Sequence, residues 1–330
     1  MKVCVVGGAG NISTSIVRLL LEMGHQVTCF SRGVSRKPSD GAQHITGDRN
    51  DEPAFESAMQ RQRFDAAIDM ICFNADHAQS SIRAFREVGH FVMCSTVATY
   101  DIAFRSMPVT EDQPLTVNGP YGSYGINKVA ADNALLEAHR SAGFPVTILK
   151  PSATFGPIIG LMRQITSDTA WIDRVRKGKP IIVAGDGSAL QQFLHVEDAA
   201  LAFAHLLGRS QCFGEIYNLV PTGCTTWADY HRTAMQVIGR DGELVGVPTD
   251  DLQAIDPTRF QFCPWFNNYY CNQKLLRDVP EFQPRLTLEQ GITQVLDAMD
   301  CEGRIANSDD EQWEDQIIAA QRRVRTIDVP

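Results

Sequence analysis

The chain of 330 residues has no CxxC pair, no HExxH or HxxxH spacing and no apolar run long enough to cross a bilayer. Each absence removes a class. Without closely spaced cysteine and histidine the sequence predicts no metal site. Without a spanning segment it predicts no membrane association. Basic residues are also in short supply: 30 Lys and Arg stand against 39 Asp and Glu, and the formal charge of −9 leaves no footprint for nucleic acid. Small-molecule partners are expected instead. Internal repeats and low-complexity tracts are missing, and the opening MKVCVVGG, a strand from its second residue, predicts no signal peptide.

What is present is ordinary for a globular chain: 44% hydrophobic and 21% charged residues, enough for one large domain or two modest ones. The nine cysteines are scattered, several inside apolar runs, and read as reduced thiols of a cytoplasmic protein. Short apolar runs alternate with longer helical patterns through the first half, the rhythm of βαβ units around a parallel sheet. Strands are predicted at 2–6, 26–31, 44–46, 66–71, 91–95 and 146–150, with helices near 12–23, 52–62, 78–88 and 121–142. This is an α/β, doubly wound (Rossmann) pattern. After Pro151 the rhythm breaks into short strands at 180–184 and 216–219 and helices near 168–176 and 226–238. The sequence thus predicts a dinucleotide-binding domain over 1–155, with segments near 190–220 returning to it. A smaller substrate-binding domain is predicted over 156–330. Its last segment, EQWEDQIIAAQRRVR, reads as a peripheral helix anchored by Trp313, Ile317 and Ile318.

The first strand runs into GGAGNIS, where Gly7 and Gly10 let the backbone turn sharply toward a pyrophosphate resting on the helix amides near Asn11 and Ile12. Ser13 stands where a third glycine is usual. A dinucleotide site of this kind reads the adenosine ribose with a carboxylate at the end of the second strand, but here VTCF ends in Ser31 and Arg32. An arginine there suits a 2′-phosphate, which favours NADP over NAD; stacking of Arg32 on the adenine of either cofactor is the other option. GDRN after the third strand places Asp48, with Arg49 beside it, at the adenine edge.

YGSYGINK contains a tyrosine and a lysine four apart, Tyr124 and Lys128, which share one helix face. An ammonium beside a phenol lowers its pKa and equips it for acid–base work on an alcohol. Solvated helices carry the same pairing without function.

In their order, GGAGNIS, CSTVATY and YGSYGINK resemble the extended short-chain dehydrogenase/reductase superfamily, specifically its NAD-dependent epimerase/dehydratase branch, which acts mostly on nucleotide sugars. TILKPSATFGP, GDGSALQQFLHVED and FQPRLTLEQGI look like further parts of that pattern, over residues 1 to about 300. The resemblance implies that Tyr124 is the acid–base residue, that Lys128 holds the nicotinamide ribose and that Thr96 binds the reacting oxygen. It also implies that Ser95 and Pro151 border the cofactor, and a homodimer through the helix at 121–142. The Asp-Glu pair that dehydratases carry after the threonine is replaced by Val97 and Ala98, which argues against 4,6-dehydration. Residues that usually grip a sugar diphosphate are replaced as well: Ala153, Gln191 with Gln192, and FCPWFNN without arginine. A neutral amide cannot replace a bidentate guanidinium. The substrate expected is then a nucleoside, a free or monophosphorylated sugar or another polyol, with a sugar nucleotide still open; Tyr100, Tyr121 and Trp265 are candidate wall residues and Arg163, Arg174 and Arg259 other sources of phosphate contacts. The expected activity is epimerisation of a secondary alcohol through a transient ketone. A net NADP-dependent reductase or dehydrogenase is the alternative, and a non-catalytic nucleotide- or RNA-binding member of the fold is a further one. His195, at the start of an apolar helix, is expected to be structural.

Overall fold

The computed structural model describes residues 1–34, 36–119, 121–261, 264 and 266–324. Two compact units are present: Met1–Thr154, Phe193–Thr222 and Tyr270–Arg285 form the first, and the remaining segments the second.

The first unit is built on a parallel sheet of seven strands. These are β1 (Lys2–Val6), β2 (Gln26–Ser31), β3 (Gln43–Thr46), β4 (Ala66–Asp69), β5 (His90–Cys94), β6 (Val146–Pro151) and β7 (Ile216–Leu219). Their order is β7-β6-β5-β4-β1-β2-β3, so the chain reverses direction beside β1 and leaves a crevice at the carboxyl ends of the strands. Alternation along each strand feeds two cores. Val3 and Val5 of β1 pack with α1 (Asn11–Glu22) and α5 (Val196–His205) through Ile16, Leu20 and Phe203. Cys4 and Val6 face the opposite side, with Phe55 of α2 (Glu52–Gln60), Ala78 of α3 (Ala75–Ala84) and Leu135 of α4 (Gly122–Ala142). Burial on both faces explains why these strands read as near-continuous apolar runs. Helix α3 starts three residues earlier than the sequence suggests because the Asn74 side chain accepts the His77 amide at 2.8 Å and caps it.

The second unit pairs strands Ile181–Ala184 and Leu244–Val247 in parallel over a small core of Ile165, Ile182, Val245, Leu252 and Phe260. Its last helix, Trp313–Val324, is more than peripheral. Ile318 is buried in that core, and the Glu314 carboxylate accepts the Ile182 amide at 2.7 Å and hydrogen-bonds Arg163, with Arg174 at 3.2 Å. Among the described residues no helix is long and apolar enough to cross a membrane.

Candidate active site

The glycine turn between β1 and α1 owes its shape to two close approaches. Gly7 adopts φ +81°, and a Cβ there would lie 2.8 Å from Ile71; at Gly8 a Cβ would lie 2.5 Å from Cys29 Sγ. Only glycine is accommodated. Ser13 occupies the third position without opening the turn: its hydroxyl accepts the Gly10 amide at 2.7 Å and donates to the Gly7 carbonyl at 2.6 Å. A side chain where glycine is usual has become a staple. Asn11 and Ile12 open α1 just beyond it.

A cavity of about 330 Å³ stands over this turn, bordered by Gly7, Gly10, Ser31, Arg32, Asp48 and Arg49. The backbone cradle that side chains would fill, the helix N-terminus behind it and this cavity suit a dinucleotide. Within it the polar groups divide into engaged and open ones. Ser31 Oγ lies 2.9 Å from His44 Nε2, and Asp48 Oδ1 accepts from the Asn50 amide at 2.9 Å. Arg49 turns inward, donating to Ser80 at 3.2 Å, to Ser81 at 3.0 Å and to the His77 carbonyl, with Asp69 at 3.8 Å. Arg32, by contrast, is exposed at the cavity edge and forms no hydrogen bond or ion pair among the described residues. Phe73 and His77 also border the cavity. Neither residue stands out in the sequence, where the position of MICFN after β4 is the one signal for them.

At the adjacent end of β5, Ser95 is buried, with no partner for its hydroxyl among the described residues. Thr96 begins a short turn, its Oγ1 accepting the Ala98 amide at 3.1 Å. Val97 and Ala98 are buried in that turn, and neither supplies an acid or base. Tyr124 and Lys128 stand one turn apart on α4. The Lys128 ammonium is buried, donating to the carbonyls of Cys72 and Cys94 at 2.8 Å each, and lies 4.9 Å from the Phe73 ring. Tyr124 is 45% exposed. Its phenol does not follow the expected downward shift. Loss of water around the hydroxyl raises its pKa, Cys94 and Asp132 add to the rise, and hydrogen bonding with Thr96 opposes it. Lys128 directs two of its three donors to backbone carbonyls and does not reverse the balance.

The remaining candidates are dispersed. Tyr100 is a core residue, its hydroxyl donating to Asn218 at 2.8 Å and its ring stacked on Tyr270. Tyr121 precedes α4 as its N-cap, Pro151 closes β6, and Ala153 lies just beyond, half-buried. Gln191 belongs to the second unit, where its side chain accepts the Gln192 amide at 2.9 Å. Trp265 lies outside the described residues. His195 caps α5, its Nδ1 accepting the Glu197 amide at 3.3 Å. Arg163, Arg174 and Arg259, which the sequence left available for phosphate, are each tied to carboxylates of their own unit.

A family model described as the NAD dependent epimerase/dehydratase family matches residues 3–219. The chain belongs to this family. Members of the family are enzymes, and so is this chain. Among curated relatives, 2′-dehydrokanamycin reductase of Streptomyces kanamyceticus is 28% identical over 253 residues, 76% of this chain and 70% of the relative. The chloroplast stem-loop binding protein of 41 kDa b of Arabidopsis thaliana is 23% identical over 88% of this chain and 77% of its own length. Among solved structures, UDP-glucose 4-epimerase of Thermotoga maritima with UDP-glucose aligns at a TM-score of 0.75 and 18% identity, covering 92% of this chain and 99% of that one. At that identity the likeness establishes the fold, a Rossmann sheet with a smaller second unit.

Proposed function

We propose that this enzyme is an NADP(H)-linked oxidoreductase that interconverts a ketone and a secondary alcohol on a sugar-like substrate lacking a nucleotide diphosphate. The carrying observation is the placement of Tyr124 and Lys128 one turn apart on α4, with the Lys128 ammonium on the Cys94 carbonyl at the end of β5, two residues before Thr96. A bound nicotinamide would supply or accept the hydride. The rest falls to the chain. Tyr124 moves the proton at the reacting oxygen, Thr96 orients that oxygen, and Lys128 presents its remaining donor toward the cofactor ribose. The raised pKa keeps the phenol a proton donor across the neutral range, the role it takes when a ketone oxygen gains negative charge; the reverse proton transfer serves oxidation.

Arg32 supports the choice of NADP, since an unpaired guanidinium at the cavity edge is what a 2′-phosphate needs. Net turnover is supported by the similarity to a protein named a reductase. A substrate without a diphosphate is supported by Gln191 and Gln192 and by the three committed arginines. Redox-neutral epimerisation by the same residues is the second reading, favoured by the absence of a carboxylate beside Thr96 for elimination. The charge of −9 weighs against an RNA-binding role.

The test is a fluorescence titration with NADPH and NADH, followed by identification of any dinucleotide released on denaturing the purified protein. NADPH binding at least about tenfold tighter than NADH, with an exchangeable site, is expected. Stoichiometric retained NAD would reject net turnover in favour of epimerisation.

A further inference from the structure

Behind the catalytic face of α4 lies a buried charge that the chemistry above does not use. Lys150, on β6, is fully buried. Its Nζ lies 3.2 Å from Asp132 Oδ2, donates to Thr99 Oγ1 at 2.8 Å and sits 4.4 Å from the Tyr100 ring. Asp132 is also fully buried, and it stands four residues beyond Lys128 and eight beyond Tyr124, on the same helix face. Because Thr99 Oγ1 accepts from Lys150, its proton is directed elsewhere, to the Thr96 carbonyl at 2.8 Å. One ammonium thus joins the helix that carries Tyr124 to the turn that carries Thr96.

Stability does not account for this arrangement. A buried ion pair gains little over apolar residues of similar size, because desolvation offsets the attraction. Positioning does account for it, since about 1 Å of misplacement at a reacting group costs about a hundredfold in rate. We propose that Lys150 is a positioning residue: through Thr99 it fixes the turn bearing Thr96, and through Asp132 it fixes the helix face bearing Tyr124 and Lys128. The inference rests on Tyr124 and Thr96 being the reacting groups. The groups acting on Tyr124 are Cys94, Thr96 and Asp132, with Lys128 one turn along, and two of these, Thr96 and Asp132, are held by the Lys150 network.

The test needs no substrate. Threonine methyl groups are labelled with carbon-13, and the Thr96 signal is assigned by its loss in Thr96→Ser. Thr99→Val removes the link while leaving the ion pair in place. It is expected to shift or split the Thr96 signal, with NADPH binding unchanged and melting temperature nearly so; Thr99→Ser restores the signal. The double variant Lys150→Met/Asp132→Asn, which leaves no buried charge unpaired, is expected to reproduce the shift, and Lys150→Arg to keep the wild-type signal. Where turnover is measurable, kcat in Thr99→Val falls about tenfold or more at unchanged KM. An unmoved Thr96 signal in Thr99→Val overturns the proposal. So does a shift accompanied by loss of both NADPH binding and melting temperature, which would make the network a general support. A wild-type protein that turns over no ketone, yet shows the predicted signals, would instead count against the proposed function alone.

Discussion

The Lys128 ammonium donates to the Cys94 carbonyl at 2.8 Å, tying the second turn of α4 to the last residue of β5. The same nitrogen reaches the Cys72 carbonyl at 2.8 Å, so the lysine bridges β5 to the segment that follows β4. Replacing it with Met leaves two carbonyls without that donor. The expected loss is at least about 3 kcal/mol of unfolding free energy, since hydrogen bonds to charged groups contribute about 1.5–3 kcal/mol each. Urea denaturation of Lys128→Met checks this, and an unchanged midpoint would show that the carbonyls find other donors.

Tyr124→Phe removes the proton donor and leaves the cavity over the glycine turn intact. Turnover is expected to fall by about 10² to 10⁴ while NADPH affinity is retained. Steady-state kinetics paired with a binding titration separates the two quantities. Equal loss of both would assign Tyr124 a structural role.

The pH dependence follows from the direction of the Tyr124 shift. Its pKa is raised, chiefly by loss of water around the hydroxyl, so the phenol is the form present across the neutral range. Ketone reduction, which needs the protonated form, should be flat there and decline only as pH rises through the raised pKa. Alcohol oxidation, which needs the phenolate, should climb with pH over the same range. Rate profiles in both directions would show this, and a reductive rate that falls already near neutral pH would contradict it.

Arg32→Ala should weaken NADPH by about tenfold or more and leave NADH nearly unaffected, because only the former carries the 2′-phosphate that a guanidinium fork recognises. A parallel loss for both cofactors would point to adenine stacking instead. Isothermal titration with each cofactor distinguishes these results.

In the second unit, Glu314→Gln removes the charge opposite Arg163 and Arg174, both buried. Breaking a buried pair on one side costs about 3–5 kcal/mol. A lower melting temperature with unchanged NADPH affinity is expected, read by calorimetry and the same titration.

Much of this was legible from local pattern. Strands β1 and β2 run over the predicted residues because the apolar runs end there at glycine or at charge, whereas Tyr124 and Lys128 stood out only through the order of GGAGNIS, CSTVATY and YGSYGINK, since their spacing occurs on solvated helices as well. Contacts distant in sequence were not legible. Lys150 in TILKP gives no sign that its partners are Asp132 and Thr99, and Glu314 reads as one more surface charge until Arg163 and Arg174 close on it. The Tyr124 shift was misjudged for the same reason. Spacing brings an ammonium near the phenol, but only the fold shows that two of its donors go to the carbonyls of Cys72 and Cys94 and that lost hydration outweighs its pull.

The most direct test mixes the enzyme with NADPH deuterated at the transferable position and a panel of keto-sugars free of nucleotide, then looks for deuterium in the product by mass spectrometry. One carbon-bound deuterium per NADPH consumed is expected with the wild type and almost none with Tyr124→Phe. Product formed without consumption of NADPH and without label, by a protein that carries its own bound dinucleotide, would contradict this expectation.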